Sequence, residues 1–535
     1  MTNNDEYLLG GSPEALLASL PKRVEHCLTE RAALTPNALA VRDQLGRQLT
    51  YQEMAQTVAE TAQTLRELGV QARDRVLLIN ENCVPLLVMI LALSELEAWP
   101  VVVNARMTAD EIERIRAHCE PRLMVYLLDS PAAVQHWQSQ ANQPGAQRLS
   151  VAGGPAGVCP AALSGAIDVS DPFYADVFTL IYTTGTTGAP KGVMLTHRNV
   201  LYVAAVSGAL RGLRDDDRIY LVLPVSHIFG LSAVFLAALY AGAELIVSDR
   251  FDPALALAAL QEQRVTGLFG VPAMYARLVE HLRSSQAESG RAANGTGPQA
   301  AATPDLRFMY VGGAPLDPAI KQQAEAAFGL PLLNGYGMTE SAPTLCQVRY
   351  NEPLTHCGVG RPLPGLEIRV LGPDGESVAR GEVGELHVRG PGIMLGYFRS
   401  PQATAEVLSA DGYLNTGDLV REEPDGSLHL VGRSKELIIH SGFNVYPPEV
   451  EAAIAQHPEV LLCAVVGEQV AGNEHVVAWV QPVSGSALDE VALRDFLRPL
   501  LAPYKRPGKI IFTAALPTAP SGKVLKHQLG RASPR

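Results

Sequence analysis

The chain has 535 residues, of which 47% are hydrophobic and 18% charged, and a formal net charge of −12. That length predicts two or more folded units with large buried cores, and the acidic balance excludes a general nucleic-acid surface, which needs clustered Lys and Arg. Seven scattered cysteines, never in a Cys-x-x-Cys pair, exclude a disulfide framework or zinc site and point to a reducing, cytoplasmic compartment.

Residues up to about 46 read as an extended lead-in with one helix over 26–33. The polar, acidic start lacks a basic-then-apolar signal pattern, and the final Ala-Ser-Pro-Arg is no peroxisomal address. From residue 49 the pattern becomes α/β. Thr50 and Glu53 open a helix to 68 in capping-box style, followed by a strand over 75–79, a helix over 83–98, a strand over 100–104 and a capped helix over 108–119. Strands alternating with helices of this length predict parallel sheets with helices on their faces.

Strands are expected over 177–182 and 192–196, the second leading into a helix capped by Thr196. Residues 228–247 are apolar and long enough to cross a bilayer. Gly230, Gly242 and Glu244 interrupt them, and Arg250 alone is no orienting basic cluster, so a buried helix and a strand over 243–247 are predicted instead of a membrane span. Residues 283–303, rich in Ser, Gln, Ala, Gly and Asn, read as a mobile surface insertion. After 365, short strands over 366–371, 384–389 and 428–431, separated by Pro-Asp-Gly turns, predict a small antiparallel barrel. From 447 a helix, strands over 460–466 and 475–483, a helix over 488–501 and a strand over 509–512 predict a compact α+β unit. The expected fold class is therefore α/β: a large N-terminal domain over 1–432, a hinge at 433–436, and a small mobile C-terminal domain over 437–535.

The stretch that organises the chemistry is Tyr182-Thr-Thr-Gly-Thr-Thr-Gly-Ala-Pro-Lys-Gly-Val193. Glycines let backbone N–H groups face one point, hydroxyls add donors, and the lysine adds a charge, a mixture that suits a polyphosphate. It is not a Walker loop, which would need glycine at Pro190 and a hydroxyl residue at Gly192. A polar hairpin without a ligand is the competing reading.

This stretch resembles the phosphate-binding signature of the adenylate-forming superfamily, which includes acyl-CoA synthetases, adenylation domains of peptide synthetases and firefly luciferases. Threonine at 184 replaces the usual serine and keeps the hydroxyl. The resemblance implies that Thr183, Thr184, Gly185, Thr186, Thr187, Gly188 and Lys191 bind the phosphates of ATP. Further stretches match in order to the end of the chain. Leu223-Pro-Val-Ser-His-Ile-Phe-Gly230 resembles the segment whose histidine lies at the acyl pocket, which assigns His227; a lone His in apolar sequence is otherwise a core residue. Val311-Gly-Gly-Ala-Pro-Leu316 and Asn334-Gly-Tyr-Gly-Met-Thr-Glu340 resemble the pair that sandwiches adenine, which assigns Gly313, Ala314, Pro315, Asn334, Gly335, Tyr336 and Gly337. Adenine would stack on Tyr336, Thr339 offers a hydroxyl to the α-phosphate, and Glu340 offers an oxygen to Mg²⁺.

By the same resemblance Asp418 and Arg433 contact the ribose and Lys435 falls at a hinge; read alone, Asp418 would make an Asx-turn. Lys523, in Leu516-Pro-Thr-Ala-Pro-Ser-Gly-Lys523, is implied to reach the α-phosphate and the carboxylate oxygen. The implied reaction joins a carboxylate to ATP, giving an acyl-adenylate and pyrophosphate. Because it presses two anions together, its barrier is largely electrostatic and calls for positioned cations.

Amino-acid-activating relatives place an aspartate in the segment corresponding to 225–234, and none is present here. The implied acyl walls, Phe229, Ala233, Tyr310, Gly312, Gly335 and Pro343 beside His227, carry no obvious cation, which disfavours a dicarboxylate. The expected substrate is an apolar monocarboxylate, either a medium or long fatty acid or an aryl-propenoic acid, with wording over 336–343 that leans toward 4-coumarate:CoA ligases. Coenzyme A is the expected acceptor. Ser441, Gly442 and Phe443 resemble the loop lining the pantetheine tunnel, and Arg250 falls at a phosphate-contacting position. The alternatives are transfer to a carrier protein's phosphopantetheine, or a non-catalytic acid- or nucleotide-binding relative. Monomer and homodimer both stay open.

Overall fold

The computed structural model describes residues 3–161, 167–168, 170–184, 190–288, 303–440, 443–470, 473–483, 485–517 and 524–529. Its centre is a nine-stranded sheet. Six neighbouring strands run parallel, in the order Leu332–Gly337, Phe308–Val311, Gly267–Gly270, Arg218–Leu221, Glu244–Val247 and Leu39–Asp43. Antiparallel strands finish both edges. The parallel strands are buried on both faces, as covering helices require. A second, five-stranded sheet carries Arg75–Asn80 between Trp99–Asn104 and Leu123–Leu127, all parallel. The helix Val84–Glu95 is apolar all round and almost wholly buried within the main core.

The capping signals read from sequence are present. Thr50 with Glu53, Thr108 with Glu111, and Thr196 with Asn199 each form reciprocal caps at the starts of Tyr51–Glu67, Ala109–Cys119 and His197–Leu210.

Several expectations need correction. The lead-in is helical: Asn3–Leu9, Pro13–Ser19 and Val24–Leu34 precede the first strand. The first of these is held by a long-range pair, Arg349 Nε to Asp5 Oδ1 at 2.8 Å, which no local pattern announces. The stretch over 283–303 begins inside the helix Pro272–Glu288, and residues 289–302 lie outside the described residues. The antiparallel unit after 365 is a four-stranded sheet, Glu367–Leu371, Val383–Arg389, Leu414–Glu422 and Leu428–Arg433 in that order. Among the described residues its outer strands do not pair with each other, so it is open where a barrel was expected. The apolar run from 228 starts as a π-helix, Phe229–Leu236, before the short α-helix Ala237–Ala241 and the strand Glu244–Val247. Among the described residues no helix is long and apolar enough to cross a membrane.

Beyond Arg433 the chain builds a separate core around Ile438, Val450, Ile454, Val465, Val476, Leu493 and Leu497. Val460–Val470 pairs antiparallel with Asn473–Pro482, which takes Lys509–Phe512 in parallel on its other side.

Candidate active site

The hairpin that carries the polyphosphate stretch is formed by Val177–Thr184 and Pro190–Thr196, with Thr183 opposite Lys191 and Thr184 opposite Pro190. Gly185, Thr186, Thr187 and Gly188 lie outside the described residues. The base of the hairpin is tightly built. A side chain at Gly192 would put its Cβ 3.1 Å from the Tyr182 ring, and the Tyr182 hydroxyl pairs with His118 Nδ1 at 2.7 Å. A third strand, Gly396–Tyr397, closes the other edge. Its Tyr397 lies under Lys191, whose Nζ is 4.8 Å from the ring centroid, and the Tyr397 hydroxyl donates to Glu340 Oε1 at 2.7 Å. Burial, reinforced by the Glu340 carboxylate, raises the Tyr397 pKa, so its hydroxyl stays a donor. The sequence reading passed over Tyr397; only the glycine-rich run before it hinted at a packed crossing.

Glu340 and Thr339 are buried in one turn of 3-10 helix at the end of the strand Leu332–Gly337. The same strand end presents Tyr336, whose hydroxyl donates to Asp418 Oδ2 at 2.6 Å. Asp418 is buried, and Arg433, directly opposite it in the ladder, places Nε 3.1 Å from Oδ1. The carboxylate thus meets a half-buried donor in Tyr336 and an exposed one in Arg433, while burial and the Asp418 charge raise the Tyr336 pKa. Gly337 must lack a side chain, since a Cβ would fall 1.8 Å from Pro343 O. Gly313, at φ +79°, and Pro315 are exposed and Ala314 half-buried at the end of the adjacent strand, while Asn334 is buried and bonds Cys357 O at 2.9 Å. Ligands of open α/β sheets bind outside such carboxyl ends.

His227 is exposed at the turn that leads into Phe229–Leu236. Desolvation lowers its pKa, and its Nδ1 accepts from the Phe229 N–H at 3.2 Å. The turn before it is clamped by Asn82, a buried amide in the loop that follows the strand Arg75–Asn80, which sequence reasoning did not single out. Its Oδ1 accepts from the Val225 N–H at 2.9 Å and its Nδ2 donates to Leu223 O at 2.9 Å. The Phe229 ring lies beside Gly312, where a Cβ would be 3.4 Å away. Gly335 is half-buried on the neighbouring strand. Pro343 is buried, and Ala233 and Tyr310 contribute essentially no surface, being packed behind this space.

Lys435 is exposed in the turn Ser434–Glu436. The Lys526 ammonium sits 2.8 Å from Glu436 and 2.9 Å from Glu451, and although burial opposes its charge, the two carboxylates raise its pKa. Arg250 is exposed, and Phe443 is exposed and stacks on Tyr504 at 4.6 Å. Ser441, Gly442 and Lys523 lie outside the described residues.

Comparison with known proteins places these features in context. Residues 28–398 match the family described as AMP-binding enzyme, and residues 449–523 match the AMP-binding enzyme C-terminal domain. A feruloyl-CoA synthase from Amycolatopsis sp is 36% identical over 94% of this chain and 97% of its own length. A 4-coumarate–CoA ligase from Oryza sativa subsp. japonica is 31% identical over 94% of this chain and 91% of its own. Among solved structures, o-succinylbenzoate coenzyme A synthetase from Bacillus subtilis, in complex with ATP and magnesium, is 25% identical, with a TM-score of 0.76 over 94% of this chain and 99% of that one.

Proposed function

Since the chain belongs to the AMP-binding enzyme family, we propose that it is an ATP-dependent, AMP-forming acid:CoA ligase acting on aryl-propenoic acids. A carboxylate oxygen attacks the α-phosphorus of ATP, pyrophosphate leaves, and the thiol of coenzyme A then attacks the acyl carbon of the adenylate and expels AMP. The relatives' names support the acid and the acceptor. The observation that carries the reading is the strand end at Leu332–Gly337. There Tyr336, tied to Asp418, and Glu340, tied to Tyr397 under Lys191, stand four residues apart at the carboxyl edge of the parallel sheet.

In this reading Asp418 and Arg433 hold the ribose, Tyr336 and the 313–315 turn flank adenine, and the 183–191 hairpin with Lys191 takes the phosphates. Thr339 donates to the α-phosphate, and His227 with Phe229, Gly312 and Gly335 bounds the acid. Among the described residues no three His, Cys, Asp or Glu side chains cluster as a metal cage. Mg²⁺ carried by ATP phosphates needs only one or two protein carboxylates, and buried Glu340 meets that need. When bound, Mg²⁺ supplies positive charge to the phosphate oxygens. Tyr397 orients the Glu340 carboxylate, Lys191 adds a second cation, and Lys523 is assigned the charge developing between acid and α-phosphate. We assign Arg250 and residues 441–443 to coenzyme A. Residues 437–535 are a lid turning about 433–436, a reading supported by their separate core. A cytoplasmic setting is supported by seven unpaired cysteines.

The test is pyrophosphate release across a panel of aryl-propenoic, fatty and amino acids, with and without coenzyme A. Acid-dependent release with 4-hydroxycinnamate, and thioester only when coenzyme A is present, are expected. No release with any acid overturns the assignment.

A further inference from the structure

The turn Ser434–Glu436 is gripped from both sides. On one side the Ser434 hydroxyl donates to Glu385, on the strand Val383–Arg389, and lies 3.3 Å from Gly417 O, next to Asp418. Glu385 is itself fixed by Asn415, whose Nδ2 donates to its Oε2 at 3.0 Å. On the other side Glu436 meets Lys526, from the far end of the chain, with Oε2 2.8 Å from the ammonium. The same ammonium is 2.9 Å from Glu451 Oε1, on the helix Pro447–Ile454, and that oxygen also accepts from the Val465 N–H at 2.7 Å. The first grip belongs to the four-stranded sheet and the second to the core beyond Arg433. Lys435 stands exposed between them.

Two carboxylates share one lysine in this triad, so the cation does more than a single surface pair would. Without it, Glu436 and Glu451 would face each other as like charges with part of their hydration removed, and the turn would be pushed off the helix. Lys526 also follows Lys523 by only three residues in the sequence. Apolar packing seats its segment on the C-terminal sheet: Leu529 is buried with Leu516 and Trp479, and Val524 packs on the same cluster. The Leu525 N–H donates to Pro517 O at 2.8 Å, which ties the segment to the chain that leads into it. The Lys526 ion pairs then join this segment to the turn at Glu436 and to the helix beyond. Such a join matters for catalysis, because a reacting group set about 1 Å off its mark can lose on the order of 100-fold in rate.

We propose that Lys526 is a positioning residue for the adenylation step: by holding Glu436 against Glu451 it sets the terminal segment, three residues from Lys523, relative to the turn Ser434–Glu436. The assignment rests on the ligase reading, in which adenylation uses Lys523 and thioester formation does not. Its test measures the two half-reactions separately in the full-length enzyme, as pyrophosphate exchange dependent on 4-hydroxycinnamate and as thioester formation from supplied 4-hydroxycinnamoyl-adenylate and coenzyme A. Lys526→Met is expected to lower kcat for exchange about tenfold or more, because the positioned group is displaced and not removed. KM for ATP and the thioester rate are expected to stay within about twofold of wild type, the signature of an interaction used in one step only. Lys526→Arg, which keeps the charge, should restore most of the exchange, and Glu436→Gln, which leaves Lys526 paired with Glu451, should show a smaller loss with the same split. Unchanged exchange in Lys526→Met, or an equal fall of both half-reactions as a merely structural ion pair would give, overturns the role of Lys526. If Lys526→Met does not fold, Glu436→Gln decides: loss of exchange alone supports the role, and no loss or an equal loss overturns it. No exchange by the wild type with any acid sinks the ligase reading and takes the inference with it, whereas a wild type that exchanges and a Lys526→Met that matches it sink only the inference.

Discussion

Tyr397 illustrates what one side chain does between two charges. Its hydroxyl orients Glu340 while its ring face receives Lys191, so one residue sets the spacing of an anion and a cation that would otherwise collapse on each other. Tyr397→Phe should keep the ring and lose the donor. A hydrogen bond to a carboxylate is worth about 2 kcal/mol, so kcat/KM is expected to fall about tenfold or more, with half-saturating Mg²⁺ rising. Titrating pyrophosphate release against Mg²⁺ checks this, and an unchanged Mg²⁺ curve would reject the role. At this scale sequence was informative where a residue type has few uses, as for Asp418 and Glu340. It was silent on Tyr397 and Asn82, because an aromatic among glycines and an amide in a loop each have many ordinary uses. Their meaning comes from partners far along the chain.

At the scale of elements, the helix His197–Leu210 is joined to the start of Val24–Leu34 by buried His197, whose Nδ1 accepts from the Val24 N–H at 3.2 Å. That acceptor requires a neutral ring. Burial, with a contribution from Arg23, lowers the pKa from 6.5 to about 3. The unfolded chain therefore binds this proton first as pH falls, and stability drops progressively from about pH 6.5 downward. His197→Asn should flatten that part of the profile while lowering stability at pH 7, measurable by urea unfolding at pH 5 and 7; an equally steep profile would exclude His197 as its source. Elements were legible where caps mark their ends, as at Thr50, Thr108 and Thr196. They were missed where local signals mislead. Leu414–Glu422 contains Asn415-Thr-Gly-Asp418, which reads as a turn, yet it pairs on both sides and delivers Asp418 to Arg433. The π-helix was hidden because a uniformly apolar run has no period to betray its pitch.

Across the whole molecule, α/β alternation followed by short strands and a small α+β unit was readable, and a separate hydrophobic core lies beyond Arg433. Sheet order was not readable, since it depends on which strands meet. On the proposed reading Lys523 serves adenylation, whereas thioester formation draws on the 441–443 loop. Lys523→Ala is expected to reduce acid-dependent pyrophosphate exchange by about 100-fold or more while conversion of supplied acyl-adenylate to thioester persists. Equal loss of both steps in a folded variant would remove the basis for a turning lid.

Asn82 has a last consequence. Because this amide reaches from the loop at the end of Arg75–Asn80 to fasten the turn before His227, the proposed acid site is hostage to a joint between two layers. On gentle warming that seam should slip before either layer melts, so acid turnover would fade at temperatures where the calorimetric transition has not begun. Asn82→Ala should widen the gap between the two curves.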